Sequence, residues 1–276
     1  MTKRLTAGLA ASAQDRPLKP LLEIHAGKHG KVSDKWAAYF PVYERALGSR
    51  RQQEVALLEI GVQNGGSLEV WAAYFEHARV VVGCDIDPRC SSLSYDDSRI
   101  HVVVGDATTQ STEQRILSLA PAFDLIIDDG SHVSDDVLRA FLIYFEHVKP
   151  GGLYIVEDTH TLFWEAYGGG VLKRNSAHDF FKLLADLVNL EHWSKELSVG
   201  TLFAPFILPS AFPKFLEEGW IESVEFSNSM IVVRKSDACG GSRLGARLVC
   251  GDVAAVDPRP LALVGRIATG FAGPKP

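Results

Sequence analysis

The stretch from residue 124 to residue 158 constrains the fold of this chain more than any other part of the sequence. Two apolar runs, residues 125–127 and 153–156, have the length and composition of buried parallel strands. Between them, apolar residues recur at helical spacing: Val137, Leu138, Phe141, Leu142 and Phe145. The pattern predicts a strand–helix–strand unit, and its right-handed crossover brings both strand ends to one edge of a sheet.

Acidic residues follow both of these strands. Asp128 and Asp129 come directly after the first strand, and Glu157 and Asp158 after the second. The four carboxylates and His132 should therefore meet at the edge where open α/β sheets bind ligands. Carboxylates at such short range repel one another unless a positive charge lies among them. The spacing alone therefore predicts a metal site.

The composition sets wider limits. A chain of 276 residues can bury a full core, so we expect one large α/β domain with additions. Its formal net charge of -6 gives no reason to expect nucleic acid or an anionic membrane as a partner. We find no apolar run of membrane-spanning length and no signal-peptide core. The four cysteines lack zinc-like spacing, so we predict a cytoplasmic, reduced protein in which Cys84 is a buried thiol.

We divide the chain into an N-terminal extension (residues 1–33, partly mobile), a ligand-binding domain (34–236) and a tail (237–276). The tail is rich in glycine and proline, and it is either disordered or packed on a neighbouring subunit. A helical pattern begins at Asp34, and we expect a kink or a break of the helix at Pro41 because proline lacks a backbone donor. Its apolar face consists of Trp36, Tyr39, Phe40, Tyr43 and Leu47. This helix either covers one side of the sheet or, through Lys35 and its aromatic residues, roofs the ligand site.

Residues 55–66 read as a buried strand that runs into a glycine turn, with a helix after it. We expect Ser67 to cap that helix and Gly61 to let the backbone approach a ligand beside the helix N-terminus. The glycine spacing is not the GxGxxG of dinucleotide enzymes. Glu59 would repel a pyrophosphate, so a ligand that carries an ammonium or a sulfonium group fits this turn better.

Two further predicted strands are each followed by an aspartate. The strand at residues 80–84 is followed by Asp85, which is placed to accept hydrogen bonds from ribose hydroxyls. The strand at 100–104 is followed by Asp106, near where an adenine would lie. With Glu59, Gly61, Ser67 and Asp128, these acids form the predicted cofactor-binding set.

The remainder of the domain completes the sheet. Residues 178–193 have a helical pattern, and residues 220–226 and 230–234 are predicted to form a hairpin. Aromatic residues beside the three glycines at 168–170 indicate a mobile lid or a substrate wall. We therefore predict a doubly wound, mostly parallel, seven-stranded α/β sheet with a terminal antiparallel hairpin.

This order of elements, over residues 34–235, resembles the class I S-adenosylmethionine-dependent methyltransferase fold. The motifs that carry the resemblance are LLEIGVQNGGS, VVGCDIDP, VVGDA and FDLIIDDGSH. More narrowly, DDGSH followed by VEDTHTLFWEAYGGG resembles the metal-dependent sugar O-methyltransferases. That group includes macrolide-sugar enzymes of the mycinamicin and tylosin pathways and mycobacterial polysaccharide enzymes.

The resemblance implies specific roles at the site. Asp129, Glu157 and Asp158 would bind magnesium or manganese, S-adenosylmethionine would be the methyl donor, and His132 would be the general base. The chemistry agrees, because carboxylates suit a hard cation, and the cation would lower the pKa of a sugar hydroxyl. A nearby imidazole could then take the proton.

We therefore expect metal-dependent methylation of a sugar hydroxyl in a glycosylated natural product or a bacterial glycan. The acceptor would be a small molecule or a glycan, and a homo-oligomer is compatible with the sequence. One alternative is methylation of a catechol-like phenol, whose adjacent oxygens would also chelate the metal. Another is a non-catalytic, cofactor-binding partner of a tailoring enzyme, since cephamycin-pathway proteins resemble this family. A nicotinamide enzyme is disfavoured because the glycine fingerprint is missing.

Overall fold

The computed structural model describes residues 18–193, 197–207, 212–240 and 243–266, and its centre is a seven-stranded sheet. The first seventeen residues of the predicted extension and the last ten of the tail lie outside the described residues. The strands are β1 (Ala56–Ile60), β2 (Val80–Asp85), β3 (Ile100–Val104), β4 (Phe123–Asp128), β5 (Val148–Val156), β6 (Ile221–Ser227) and β7 (Met230–Lys235). The helices are α1 (Leu21–Ala26), α2 (Tyr39–Leu47), α3 (Gly66–Tyr74), α4 (Gln110–Leu119), α5 (Ser134–Tyr144), α6 (Ala177–Leu187) and α7 (Val199–Phe203).

The strand order is β3-β2-β1-β4-β5-β7-β6. Strands β1 to β5 are parallel, and β7 runs antiparallel to both β5 and β6. The predicted fold class and terminal hairpin are therefore confirmed. The strand order reverses between the neighbours β1 and β4, which is the point where open α/β sheets form a ligand crevice.

Helices cover both faces of the sheet. Because side chains alternate along a strand, Leu57 packs in the core with α1, α2 and α3, and Leu58 in the core with α5 and α6. The strands have near-continuous apolar runs because both of their faces are buried. No helix in the described ranges has the length and apolar character needed to cross a bilayer. Cys84 is a buried free thiol, as predicted.

The N-terminal region departs from the predicted pattern. Helix α1 lies within the predicted extension, and its Leu21 side chain is buried against α2 and α3. Helix α2 begins at Tyr39 rather than at Asp34. The predicted kink or break at Pro41 is wrong, because this proline occupies the first helical turn, where a backbone N–H has no helical acceptor.

The start of α3 also differs from the prediction. Ser67 is not the N-cap: the cap residue is Gly65, which has a left-handed φ of 79°, and the helix begins at Gly66. The Ser67 hydroxyl donates instead to the carboxylate of Glu59. A left-handed cap residue favours glycine, which explains why glycine precedes this helix.

The C-terminal third is less regular. Helix α6 ends at Leu187, and a short 3-10 turn (Leu190–His192) follows it, so the predicted helix over residues 178–193 is shorter than expected. The described part of the tail carries one further 3-10 turn, Arg259–Leu263. Leu248 and Val256 in this tail are almost fully exposed.

Gly61, the residue after β1, lies against the backbone that follows β4. Its φ of 93° is unfavourable for any residue with a side chain, and a Cβ there would lie 2.0 Å from the carbonyl oxygen of Asp129. The Asp129 amide in turn donates to the carbonyl of Ile60 at 2.8 Å. Glycine at this position lets the ends of the two central strands meet.

We expect Gly61→Ala to lower the free energy of unfolding by more than about 2 kcal/mol, because both the backbone angle and the close approach oppose a side chain. Gly48→Ala is the matched control, since it has an ordinary helical φ and no atom within 4 Å of its added Cβ. The control should stay within about 1 kcal/mol of the parent. Urea denaturation of the three proteins measures the difference, and equal stability of both variants would show that the approach at Gly61 is not a constraint.

Candidate functional site

A cavity of about 470 Å³ lies at the carboxyl ends of β1 to β4, beside the switch point of the sheet. Residues of the four strand ends and of segment 32–35 form its walls. The predicted site residues that line it are Gly61, Ser67, Asp85, Asp106, Asp128, Asp129, His132 and Asp158. Glu59 and Glu157 are almost completely buried and do not line it.

Asp85 fixes the glycine turn on one side of the cavity by accepting hydrogen bonds from backbone amides. One carboxylate oxygen of Asp85 accepts from the backbone amides of Val62 and Gln63, both at 2.8 Å, and the other accepts from the amide of Asp87. Asp106 accepts in the same way from the amide and the hydroxyl of Thr108 at 2.8 Å. The two acids predicted to face a nucleoside therefore also fix the loops around the cavity.

Glu59 lies behind the cavity wall. Its carboxylate accepts from the Ser67 hydroxyl at 2.5 Å and from the Trp71 indole at 3.0 Å. Burial raises its pKa, while the ammonium of Lys35, 3.7 Å away, opposes that shift. The positive group next to Glu59 in this structure thus comes from the chain itself.

Asp128 and Asp129 are adjacent in sequence but face opposite sides of the sheet. Asp128 is buried, accepts from the Tyr154 hydroxyl at 3.2 Å, and has its pKa raised by burial to about 7. Asp129 turns towards the other side, where its Oδ2 accepts from Lys35 at 2.5 Å. Of these two acids, only Asp129 therefore lies on the same side as the other predicted metal ligands.

Asp129, His132 and Asp158 come together at the cavity, with one donor atom of each within 4.8 Å of the other two. His132 Nε2 lies 3.5 Å from Asp158 Oδ2 and 3.9 Å from Asp129 Oδ1. His132 and Asp158 also have left-handed φ angles of 57° and 51°, which are uncommon and costly for residues other than glycine. Strained residues of this kind concentrate at functional sites.

Glu157 stands apart from this group. Its Oε1 accepts from Lys35 at 2.8 Å and from the hydroxyl of Tyr43. Burial raises the pKa of Glu157, and the nearby charge of Lys35 opposes the shift. Both of these donors bind the same carboxylate oxygen, and Glu157 is not a member of the group formed by Asp129, His132 and Asp158.

Lys35 joins the acids into one cluster. Its side chain is 6% exposed, and its ammonium pairs with Asp129, Glu157 and Glu59. Burial alone would lower the pKa of Lys35, but the three carboxylates outweigh burial and raise it well above its ordinary value. Helix α2 covers one side of the sheet, which is one of the two predicted roles, and Lys35 also lines the cavity.

The sequence analysis placed the aromatic residues of α2 on an apolar face or above the ligand site, and it did not predict hydrogen bonds from their phenol groups. Tyr39 donates to Asp158 Oδ1, and Tyr43 donates to Glu157. A signal was available: two tyrosines rather than phenylalanines, one helical turn apart on a buried face, each require a hydrogen-bond partner. His160 was missed as well, and its Nδ1 lies 2.8 Å from the Ser229 hydroxyl and 3.9 Å from Asp158.

The predicted lid folds back on itself. It forms two 3-10 turns, Thr159–Phe163 and Glu165–Tyr167, after which the amides of the three glycines at 168–170 donate to carbonyls of residues 162–165. Trp164 and Trp36, each more than half exposed, contact the two sides of His160 edge-on. These rings form a wall beside Asp158.

Comparison with known proteins places this geometry in a family. A family model described as a methyltransferase domain matches residues 58–159. Demethylmacrocin O-methyltransferase of Streptomyces fradiae is 35% identical over 50% of this chain and 36% of its own length. The tetracenomycin-C 3'-O-methyltransferase of Streptomyces olivaceus, whose named substrate carries a 2-methoxy-rhamnosyl group, is 32% identical over 73% of this chain and 52% of its own length. The chain thus spans about half, or less, of the length of these relatives.

Among solved structures, the MycE methyltransferase of the mycinamycin pathway, in complex with Mg, SAH and mycinamycin VI, superposes with a TM-score of 0.64. It is 26% identical, and the match covers 79% of this chain and 54% of that one. Its complex with Mg and SAH alone gives the same TM-score at 27% identity. Sequence and fold agree: residues 58–159 match a methyltransferase domain, and the chain is similar to the sugar O-methyltransferases of antibiotic pathways.

Proposed function

We propose that this protein transfers a methyl group from S-adenosylmethionine to a sugar hydroxyl of a glycosylated natural product, with help from a divalent metal. The observation that carries the proposal is the grouping of Asp129, His132 and Asp158 at one end of the strand-edge cavity. The names of the relatives support the acceptor class. The Mg and SAH bound in MycE support the donor and the metal.

The cavity suits an adenosyl ligand. Asp85 and Asp106 lie at the ends of adjacent strands, where ribose and base would be bound, and Gly61 removes side-chain bulk from the floor. Glu59, predicted to face the methionine end, would act there through Ser67, which lines the cavity and donates to Glu59. Asp128 also lines the cavity, held by Tyr154.

The donor set also suits a hard cation. Asp129 and Asp158 each present a carboxylate oxygen on the side that faces His132, and their side chains are about one-quarter exposed. Oxygen ligands of this type are preferred by magnesium. We propose Asp129 and Asp158 as the principal ligands, with Glu157 able to contribute its second oxygen, Oε2.

The residues of the chain then take distinct roles. When bound, S-adenosylmethionine supplies an electrophilic methyl group, and magnesium acts as a Lewis acid towards the acceptor oxygen. His132, whose Nε2 lies beside the proposed ligands, would accept the proton of the acceptor hydroxyl at that nitrogen. Trp36 and Trp164 present exposed rings beside Asp158 and bound the acceptor side.

The first prediction concerns the cofactor. S-adenosylhomocysteine should raise the melting temperature, because a ligand selective for the native state stabilises it by about 2.7 kcal/mol at a hundredfold excess over Kd. NADH should leave it unchanged, since no dinucleotide fingerprint is present. Differential scanning calorimetry with each ligand tests this. Stabilisation by NADH and none by S-adenosylhomocysteine would refute the methyltransferase proposal.

The second prediction concerns the acceptor and the metal. With radiolabelled S-adenosylmethionine, the protein should methylate at least one member of a panel of macrolide and tetracenomycin glycosides, and mass spectrometry should place the methyl group on the sugar. EDTA should abolish the transfer, and magnesium should restore it. A catechol panel serves as the comparison. Transfer to catechols alone, or full activity after verified metal removal, would contradict the proposal.

The third prediction concerns His132. His132→Asn, which tolerates the left-handed backbone, should lower kcat by about 10² to 10⁴ without weakening S-adenosylhomocysteine binding. His147→Asn is the control, because His147 pairs with Glu113 away from the cavity. Near-normal turnover of His132→Asn would assign the proton to another acceptor.

A further inference from the structure

The three predicted metal ligands share one feature: in each, one carboxylate oxygen is held by a side chain from residues 35–43. Lys35 donates to Oδ2 of Asp129 and to Oε1 of Glu157. The held oxygen of Asp158 is Oδ1, which accepts from Tyr39, and Tyr43 adds a second donor to Oε1 of Glu157. The donors come from one short segment, whereas the acids follow β4 and β5.

The other oxygen of each acid is left for another partner. Asp129 Oδ1 and Asp158 Oδ2 face His132 at 3.9 and 3.5 Å. Within the part of the chain that the structure describes, Oε2 of Glu157 accepts no hydrogen bond. Asp129 and Asp158 are therefore each fixed through one oxygen and face His132 through the other, whereas Glu157 is fixed through Oε1.

The three donor side chains are buried. Tyr39 and Tyr43 are each 1% exposed, and both lie on helix α2, which packs against the sheet. The Lys35 side chain is 6% exposed and pairs with both Asp129 and Glu157. Fixed donors that bind the outer oxygens of metal-ligating carboxylates orient those ligands and commonly change metal affinity 10- to 100-fold.

We propose that Lys35, Tyr39 and Tyr43 form a donor clamp that orients Asp129, Glu157 and Asp158 towards the metal. They are positioning residues, which act on the metal through the carboxylates that they hold. The inference rests on the proposed metal-assisted function. It adds that segment 35–43 determines the metal affinity of a site whose ligands lie elsewhere in the chain.

Tyrosine-to-phenylalanine changes give the sharpest test, because they remove a hydroxyl without changing any charge. In titration calorimetry with MgCl₂ in the presence of S-adenosylhomocysteine, Tyr39→Phe and Tyr43→Phe should each weaken magnesium binding by about tenfold or more. The Kd for S-adenosylhomocysteine alone should stay at the parent value. Tyr74→Phe is the matched control, since Tyr74 is equally buried and donates to Glu44, outside the cavity.

Lys35→Met provides a second, independent test. Loss of a positive charge would by itself tighten cation binding, so weaker magnesium binding in this variant reports lost orientation. Lys31→Met is its control, because Lys31 belongs to the same region but pairs with Glu69 at 3.0 Å. If Lys35→Met does not fold, the two tyrosine variants still decide the matter.

The outcomes separate the clamp from the proposed function. If the parent binds no magnesium, both the metal site and the clamp are wrong. If the parent binds magnesium and Tyr39→Phe and Tyr43→Phe bind it equally well, the clamp alone is wrong. Weakened S-adenosylhomocysteine binding with unchanged magnesium affinity would likewise overturn the clamp, because the residues would then shape the cofactor cavity.

Discussion

The ammonium of Lys35 among three carboxylates is the interaction on which the site depends. Glu59 and Glu157 are almost fully buried, and a buried carboxylate without a partner is strongly destabilising. Lys35 supplies a charge-assisted hydrogen bond to Glu157 and a nearby opposite charge to Glu59, and it extends the pairing to Asp129. It thereby ties the chain before α2 to the ends of β1, β4 and β5, so that the fold and the site share one set of contacts.

The sheet supplies the second constraint. Neighbouring parallel strands end at the same edge, and the reversal of strand order between β1 and β4 opens the cavity there. The close approach at Gly61 then brings the end of β1 against the backbone of Asp129. The cofactor side and the metal side of the cavity are consequently parts of one rigid strand edge, with His132 on the loop that leaves it.

Much of this could be predicted from the sequence, because buried parallel strands have apolar runs and their acidic ends mark the ligand edge. The direction in which each acidic side chain points could not be predicted from the sequence. Alternation along a strand sends Asp128 to Tyr154 and Asp129 to Lys35, and the left-handed backbone of Asp158 separates it from Glu157. The partners that set these directions, chiefly Lys35, are distant in sequence and become neighbours only in the folded chain.

The donor clamp comes from a segment outside the five parallel strands, so the site can open separately from the sheet. Every strand pairing of the parallel core lies within residues 56–156, whereas the acids at its edge are paired by residues of segment 35–43. Opening of that segment would unpair the carboxylates without breaking a strand pairing, so we expect the site to belong to a less protected cooperative unit than the sheet. Amide hydrogen exchange in α2 would then change with occupancy of the metal site, although no residue of α2 is a proposed metal ligand.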